Sequence, residues 1–475
     1  MAKHYRWFAI SVATFCVTSI LPTEQSAAAN TLCVNPKGSK GCYSTISAGV
    51  AAANSGDTVR VGQGTYREHV IINKPLSLIG FNAANTIIDA SGNTGNGVGI
   101  YVDGMDNLTA ADIAASQLTG LSDVVVQGFT VANGGFEGIL VTNASNVTIT
   151  ENQVTGNNTN LQLPTSNTGC PFIPAWETSE GFDCGEGIHL NAVHHSTIAN
   201  NQVDHNAGGI LMTDETGPNH DNLITGNVVT KNGYDCGITL ASHRAAPGYG
   251  GTSRTPYGVF HNTVANNESS KNGLAVSGNG VGVGLFTSPG PPTLPTLATS
   301  VYDNVVIGNR LTGNGQPGVA MHAHKAGARL TGNLITGNYI ADNGADVSDT
   351  LTAGPTGINI HAGASGEPLT DNVVTGNTIE RESIDVAVST SAPIDVHLND
   401  LAGGGVGVAN LGTGTINATV NWWGCSGGPT AAGCSTVQGN GITFTPWLTR
   451  RANSEERGSE EHDHHDSAGR LTSDR

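Results

Sequence analysis

Two short phrases recur through most of this chain, and they restrict its fold more than any other feature. The first is a glycine followed by alternating apolar residues: Gly138-Ile139-Leu140-Val141, Gly187-Ile188-His189-Leu190, Gly209-Ile210-Leu211-Met212, Gly237-Ile238-Thr239-Leu240, Gly282-Val283-Gly284-Leu285, Gly318-Val319-Ala320-Met321 and Gly357-Ile358-Asn359-Ile360. The second sets an apolar residue three positions before an asparagine: Ile149 to Asn152, Ile198 to Asn201, Ile224 to Asn227, Val264 to Asn267, Ile335 to Asn338 and Val374 to Asn377. Ile307 to Asn309 is one residue shorter. Gly187 and Gly209 stand 22 residues apart, and the next interval, to Gly237, is 28. A short unit with insertions at set places is the signature of a solenoid, because one unit cannot bury its own apolar face and must stack on its neighbours.

The unit from 187 to 209 displays the plan. Gly187–Leu190, Ser196–Asn200 and Gln202–Asp204 read as three strands separated by turns. Three short strands per coil, each pairing with its equivalent in the next coil, specify an all-β fold, a single-stranded right-handed parallel β-helix. Ile188, Leu190, Ile198 and Val203 fall on inward positions, and the recurrent asparagine falls at a corner. There it is expected to tolerate left-handed backbone and to bond the asparagine one coil away. A leucine-rich horseshoe would need more leucine and a helical segment in every repeat. Composition agrees with frequent sharp turns: 65 of the 475 residues are glycine and only 12% are charged, against about 7% and 25% in ordinary domains.

An open solenoid exposes its core at both ends and needs caps. Residues 43–53 (YSTISAGVAAA) are expected to form a short N-terminal capping helix. The following run, GDTVRVGQGTYREHVIINKPLSLIG, resembles the start of pectin-lyase-like β-helix proteins of the NosD and polysaccharide-lyase type. Asn421-Trp422-Trp423-Gly424, followed by Gly428-Pro429, resembles the terminal coil of the same superfamily. The resemblance spans about 30–449 and implies the fold. It leaves function open, since the superfamily holds lyases, hydrolases, epimerases, tail spikes and non-catalytic proteins.

Residues 1–29 read as an export signal: Lys3 and Arg6, then a mostly apolar stretch from Trp7 to Leu21, then Ala27-Ala28-Ala29 as a cleavage site. The apolar run is short for a bilayer span, so a secreted or periplasmic protein without a membrane span is expected. In that oxidising setting Cys33 with Cys42, Cys170 with Cys184, and Cys425 with Cys434 are candidate disulfides. Cys236 is left over and competes for Cys184. Residues 450–475 read as a charged disordered tail carrying His462, His464 and His465, with adventitious divalent-metal binding as its expected chemistry. The net charge of −18 argues against nucleic acid as a partner and, for an acidic polysaccharide, calls for a bridging cation such as Ca²⁺.

The long insertions, 157–186, 241–262, 286–303 and 343–356, each border a glycine phrase, which predicts a walled groove over one sheet. With the second and fourth residues of each phrase inward, the fifth faces out, giving the column Asn191, Thr213, Ala241, Phe286, His322, His361. His322 and His361 should then be neighbours. His322, His361 and His243 are candidate proton acceptors, and Asp214 and Glu215 candidate carboxylates for glycoside hydrolysis. His189, Arg244, Lys325 and Phe286 are candidate substrate-binding residues. His324, with His322 and His361, is a candidate transition-metal ligand. His220, Asp221, Asp183 and Glu186 are expected around the same groove. The Gly-His-Gly, Asn-Thr-Asp, Asp-Pro-His and Trp-x-Asp-His phrases of related enzymes are missing, so no catalytic residue carries over. Three readings follow: a polysaccharide lyase or hydrolase, a non-catalytic glycan-binding or cell-surface protein, and a NosD-like periplasmic metal-handling protein. Each is expected to work as a monomer.

Overall fold

The structure, a computed structural model, describes residues 29–451 except 93–96, 159–173, 175, 178–184, 247, 250–257, 276–278, 288–298, 325–326, 347–350, 353 and 364–368. The export segment up to residue 28, Cys170, Asp183, Cys184, Lys325 and the tail from residue 452 lie outside the described residues.

The strands wind into a parallel β-helix with three faces. One face runs through Ile100–Asp103, the first part of Ile139–Thr150, Glu186–His194, Gly208–Thr213, Ile238–Ser242, Val283–Thr287, Val319–Ala323, Thr356–His361 and Ile384–Ser389, all in parallel register. The second continues from the later part of Ile139–Thr150 through Thr197–Ala199, Leu223–Thr225 and Thr263–Ala265. The third is an 11-stranded parallel sheet that includes Gln153–Thr155, Gln202–Asp204 and Val228–Thr230. The unit from 187 to 209 thus has its three strands in the expected places, and Ile188, Leu190, Ile198 and Val203 are wholly buried in the core. The glycine that opens each first-face strand is required by crowding: a Cβ on Gly209 would lie 2.0 Å from the carbonyl oxygen of Gly237 in the next coil.

Three rows of buried polar side chains close the corners. At one, Asn152, Asn201, Asn227, Asn267, Asn309, Asn338, Asn377, Asn399 and Asn421 form a ladder along the coil axis. Each rung works alike: the backbone N–H and Nδ2 of Asn267 donate to Oδ1 of Asn309 at 2.9 and 3.0 Å, and Nδ2 also donates to the carbonyl of Ile224. A second ladder runs Asn157, Asn206, Asn232, Asn272, Asn314, Asn343 and ends on Glu382. A third runs Ser196, Asn222, Asn262, Asn304, Asn333, Asn372. The left-handed backbone expected at the ladder asparagine falls instead on the residue before it: Asn200, Gly226, Asn266 and Gly308 in the first ladder, His205, Lys231 and Lys271 in the second. The left-handed residue turns the chain, and the next one is thereby aimed inward with its amide along the axis.

The N-terminal cap is the helix Ile46–Ala52, shorter than the expected 43–53 because Tyr43 forms a parallel bridge with Val34, donating its N–H to the carbonyl of Cys33. Glu68 accepts the N–H groups of Ile46 and Ser47, closing the helix start. Ile46 and Val50 cover the end of the core. At the other end the wholly buried Trp423 fills the last coil. Cys33–Cys42 and Cys425–Cys434 are disulfides, and Cys236 is a buried thiol. Among the described residues no helix is long and apolar enough to cross a membrane.

These corners generate two predictions. Asn267→Ala removes a rung and strands the buried donors of Asn227, which costs about 3 kcal/mol or more. Asn266→Gly, one residue earlier at φ 56°, suits the left-handed backbone and stays within about 0.5 kcal/mol of wild type. Thermal unfolding of the pair checks this, and equal losses would contradict the division of labour at the corner. Glu382, at the end of the second ladder, has its pKa pushed up to about 7, chiefly by burial, with Asp342 adding to the effect. Burial likewise raises Asp385, and the carboxylates of Glu382 and Asp400 add to the shift. Folding therefore favours the protonated forms, so this stability is present below the unfolded carboxyl values and is lost as pH rises through the folded ones. Glu382→Gln should melt higher than wild type at pH 8 and flatten the decline between about pH 4.5 and 7.

Candidate functional site

The first face carries the outward columns. Its fifth-position register is Asp103, Thr142, Asn191 and Thr213 on the N-terminal side. On the C-terminal side it is Ala241, Phe286, His322, His361 and Ser389. His322 and His361 are direct register partners, as the repeat implied. The insertions leave or enter at the two edges of this face. Along the face His189, Asn191, Thr213, Asp214, Glu215, His243 and His322 point away from the β-helix core yet are buried, rather than lining an open trough.

Two stations result. At the first, His189 Nδ1 lies 3.2 Å from Glu137 Oε1 and its Nε2 lies 2.9 Å from Thr213 Oγ1. Glu186 completes a group with Glu137 and His189 whose ligand atoms all lie within 4.8 Å of one another. One coil on, Glu177, Glu215 and His243 form a second such group. Glu215 accepts from Asn191 Nδ2 at 2.8 Å and is hydrogen bonded to His243 Nδ1. Asp214 holds His243 in place by accepting its backbone N–H at 2.7 Å and the hydroxyl of Ser242 at 2.9 Å. Thr216 ties the same turn down through Asn143 and Asn191.

Burial alone would raise the Glu215 carboxyl, but the charge and hydrogen bond of His243, the charge of His189 and a hydrogen bond from Glu177 outweigh it and hold Glu215 well below the usual carboxylate range. A carboxylate held ionised beside a second carboxyl and an imidazole is a group that acid–base chemistry can use. Each three-residue group also offers two carboxylates and an imidazole to a cation, a donor set closer to that of first-row divalent ions than to the six to eight oxygens of Ca²⁺.

Aromatic residues gather over this station. Trp176 meets His189 edge-on at 6.1 Å, and it clusters with Phe136, Leu140, Tyr101, Tyr234 and Tyr249. Arg244 follows His243 directly and is half-buried.

The second station lies two coils further along, about 10 Å at the usual strand spacing. His322 Nε2 sits 3.1 Å from Asp346 Oδ2, with both side chains buried. The His322 ring is 5.3 Å from that of His361 and 5.8 Å from that of His324. Phe286 packs on both His322 and His324.

Most of the residues singled out from sequence therefore fall into one of these two groups: His189, Asp214, Glu215, His243 and Glu186 in the first, Phe286, His322, His324 and His361 in the second. His220 and Asp221 do not join either. They sit on the corner between the first and second faces, because the short strand Asn219–His220 pairs with His194 and with Val259–Phe260. Glu137, Glu177, Trp176 and Asp346 were missed. Glu137 had a signal, since it occupies the position before Gly138 that Glu186 occupies before Gly187. The others arrive on insertions, which carry no period.

Residues 77–285 match the family described as right handed beta helix region, and residues 250–440 match the family described as periplasmic copper-binding protein (NosD). No curated protein matches the chain. Among solved structures, an alginate lyase from Paenibacillus sp. str. FPU-7 is 13% identical over 87% of this chain and 99% of its own, with a TM-score of 0.41. Pectate lyase Pel9A is 14% identical, covering 79% of each chain with a TM-score of 0.43. The DFA-IIIase from Arthrobacter chlorophenolicus A6 is 11% identical over 90% of this chain and 89% of its own, with a TM-score of 0.43.

Proposed function

We propose that this protein, a right-handed parallel β-helix of the pectin-lyase-like superfamily, is a carbohydrate-active enzyme of the cell exterior or periplasm that holds a polysaccharide along its first face and hydrolyses it at the first station. The observation that carries this reading is the Glu177–Glu215–His243 group, in which the buried Glu215 carboxyl is held ionised by His243 and by the charge of His189. In it Glu177 gives a proton to the glycosidic oxygen, and Glu215 attacks the anomeric carbon or activates water. His243 keeps Glu215 ionised, and Asp214 is a positioning residue acting through His243. Trp176 and the tyrosines beside it stack on sugar rings, His189 and Arg244 bind sugar hydroxyls or carboxylates, and Phe286, His322 and His361 extend the binding path. A bridging Ca²⁺ is needed only for an acidic glycan.

A second reading has its own observation. The match to the periplasmic copper-binding family spans His322, His324 and His361, so these side chains are the candidate ligands if the protein handles metal.

The test is to incubate the purified protein with neutral and acidic polysaccharides, with and without Ca²⁺, following reducing ends and the ultraviolet absorbance of unsaturated uronides. New reducing ends without that absorbance are expected, and Glu215→Gln should lower kcat by about 10²-fold to 10⁴-fold. Because Glu215 is held low, it stays ionised in acid, so the acidic limb of the pH–rate profile should fall below the ordinary carboxylate range. Unsaturated product that is lost in His322→Ala but kept in Glu215→Gln would replace hydrolysis by elimination at the second station. No product, together with copper binding lost in His322→Ala, would favour the second reading.

A further inference from the structure

The corner between the first and second faces carries a row of chemistry that neither station uses. His194, His220, Phe260 and Tyr302 are register partners in successive coils. Their rings stack face to face: His194 on His220 at 4.9 Å, His220 on Phe260 at 4.8 Å and Phe260 on Tyr302 at 4.7 Å. The guanidinium of Arg329 covers the end ring at 4.3 Å. Immediately after each ring comes a left-handed residue, and these alternate His195, Asp221, His261, Asp303. The backbone at these positions throws the side chains outward, beside the stack.

The donor atoms converge at Asp221. His220 Nδ1 lies 2.7 Å from Asp221 Oδ2, His195 Nε2 lies 3.9 Å from the same oxygen, and His261 Nδ1 lies 3.8 Å from Oδ1. Two ligands bound tetrahedrally to a zinc-sized ion at 2.0–2.2 Å stand about 3.4 Å apart, a value the first two distances bracket. The tautomers suit this. His194 stacks on His220 and reaches His195 with its ring edge. Its Nε2 meets Thr119 Oγ1 at 2.7 Å and its Nδ1 meets His195 Nδ1 at 2.8 Å. When His195 Nδ1–H donates across that contact, its Nε2 presents a lone pair toward Asp221.

We propose that His195, His220 and Asp221 form a binding site for a first-row divalent cation of the zinc class, clamping adjacent coils from outside. Two imidazoles and a carboxylate are the donors such ions prefer. The ring stack fixes the plane of His220, and the left-handed corners fix His195 and Asp221, so little ordering remains to be done. The site lies outside residues 250–440 and is separate from both stations.

The test is titration of Zn²⁺ into the full chain by calorimetry, with His462, His464 and His465 replaced by alanine to silence the tail. The variants are chosen to keep the fold: His220→Phe preserves the ring stack, and His195→Asn and Asp221→Asn preserve left-handed propensity. One equivalent of Zn²⁺ should raise the melting temperature, and its affinity should fall by at least about 100-fold in each variant. The metal-free variants should melt as the parent does, and Glu215→Gln and His322→Ala should retain that equivalent. Co²⁺ should give a visible spectrum of nitrogen and oxygen ligation that is lost in His220→Phe. Zn²⁺ binding that is unchanged in His195→Asn and His220→Phe, or the absence of binding by the parent, would overturn the proposal without touching the hydrolytic reading.

Discussion

Everything in this molecule depends on how the corners of each coil satisfy their backbone. A coil of three short strands turns sharply several times, and the turns lie against a dry aliphatic core where an unpaired N–H or C=O costs about 1–3 kcal/mol. An asparagine amide solves this at one stroke. Its Nδ2 donates back to a carbonyl of the preceding coil and onward to the next asparagine, while its Oδ1 accepts two donors from the coil behind. The ladders therefore hold successive coils in one register over most of the length. That register in turn decides which outward side chains become neighbours.

The first face draws its chemistry from this regularity. Equivalent outward positions stand one strand spacing apart, so any two polar residues at the same place in successive repeats are brought into contact. Acidic groups so close together would repel, and the structure offsets this by interleaving imidazoles among them. Glu215 stays ionised because His243 and His189 surround it. Aromatic residues, scarce in the chain as a whole, are concentrated over this station, where they exclude water and present flat apolar surface.

The same corner rule accounts for the polar row on the opposite edge of that face. A left-handed residue must precede each ladder rung, and glycine, asparagine, aspartate and histidine are among those that accept it with least strain. At His195, Asp221, His261 and Asp303 that requirement places alternating imidazoles and carboxylates in line along the axis. A demand of the fold thus creates a ligand array with no further cost.

The periodic part of this protein was legible in its residues alone. Gly187, Ile188, Leu190, Ile198 and Val203 declare a coil by spacing, and the spacing suffices to make His322 and His361 partners and to pair Cys33 with Cys42 and Cys425 with Cys434. Periodicity holds because each strand's neighbours are its own equivalents, so local order in sequence becomes order in space. Glu177, Trp176 and Asp346 ride on insertions that follow no repeat, and where such segments fold back depends on which side chains they meet. His220 and Asp221 carry the same lesson on a smaller scale. A strand of two residues at a corner, Asn219–His220, is decided by its pairing with the coils on either side, which moves both residues off the face where linear spacing had placed them. The sequence by itself determined the coil, its core and its register; the burial of the outward residues, and the partners that turn them into sites, were decided only by tertiary contacts among non-repeating segments.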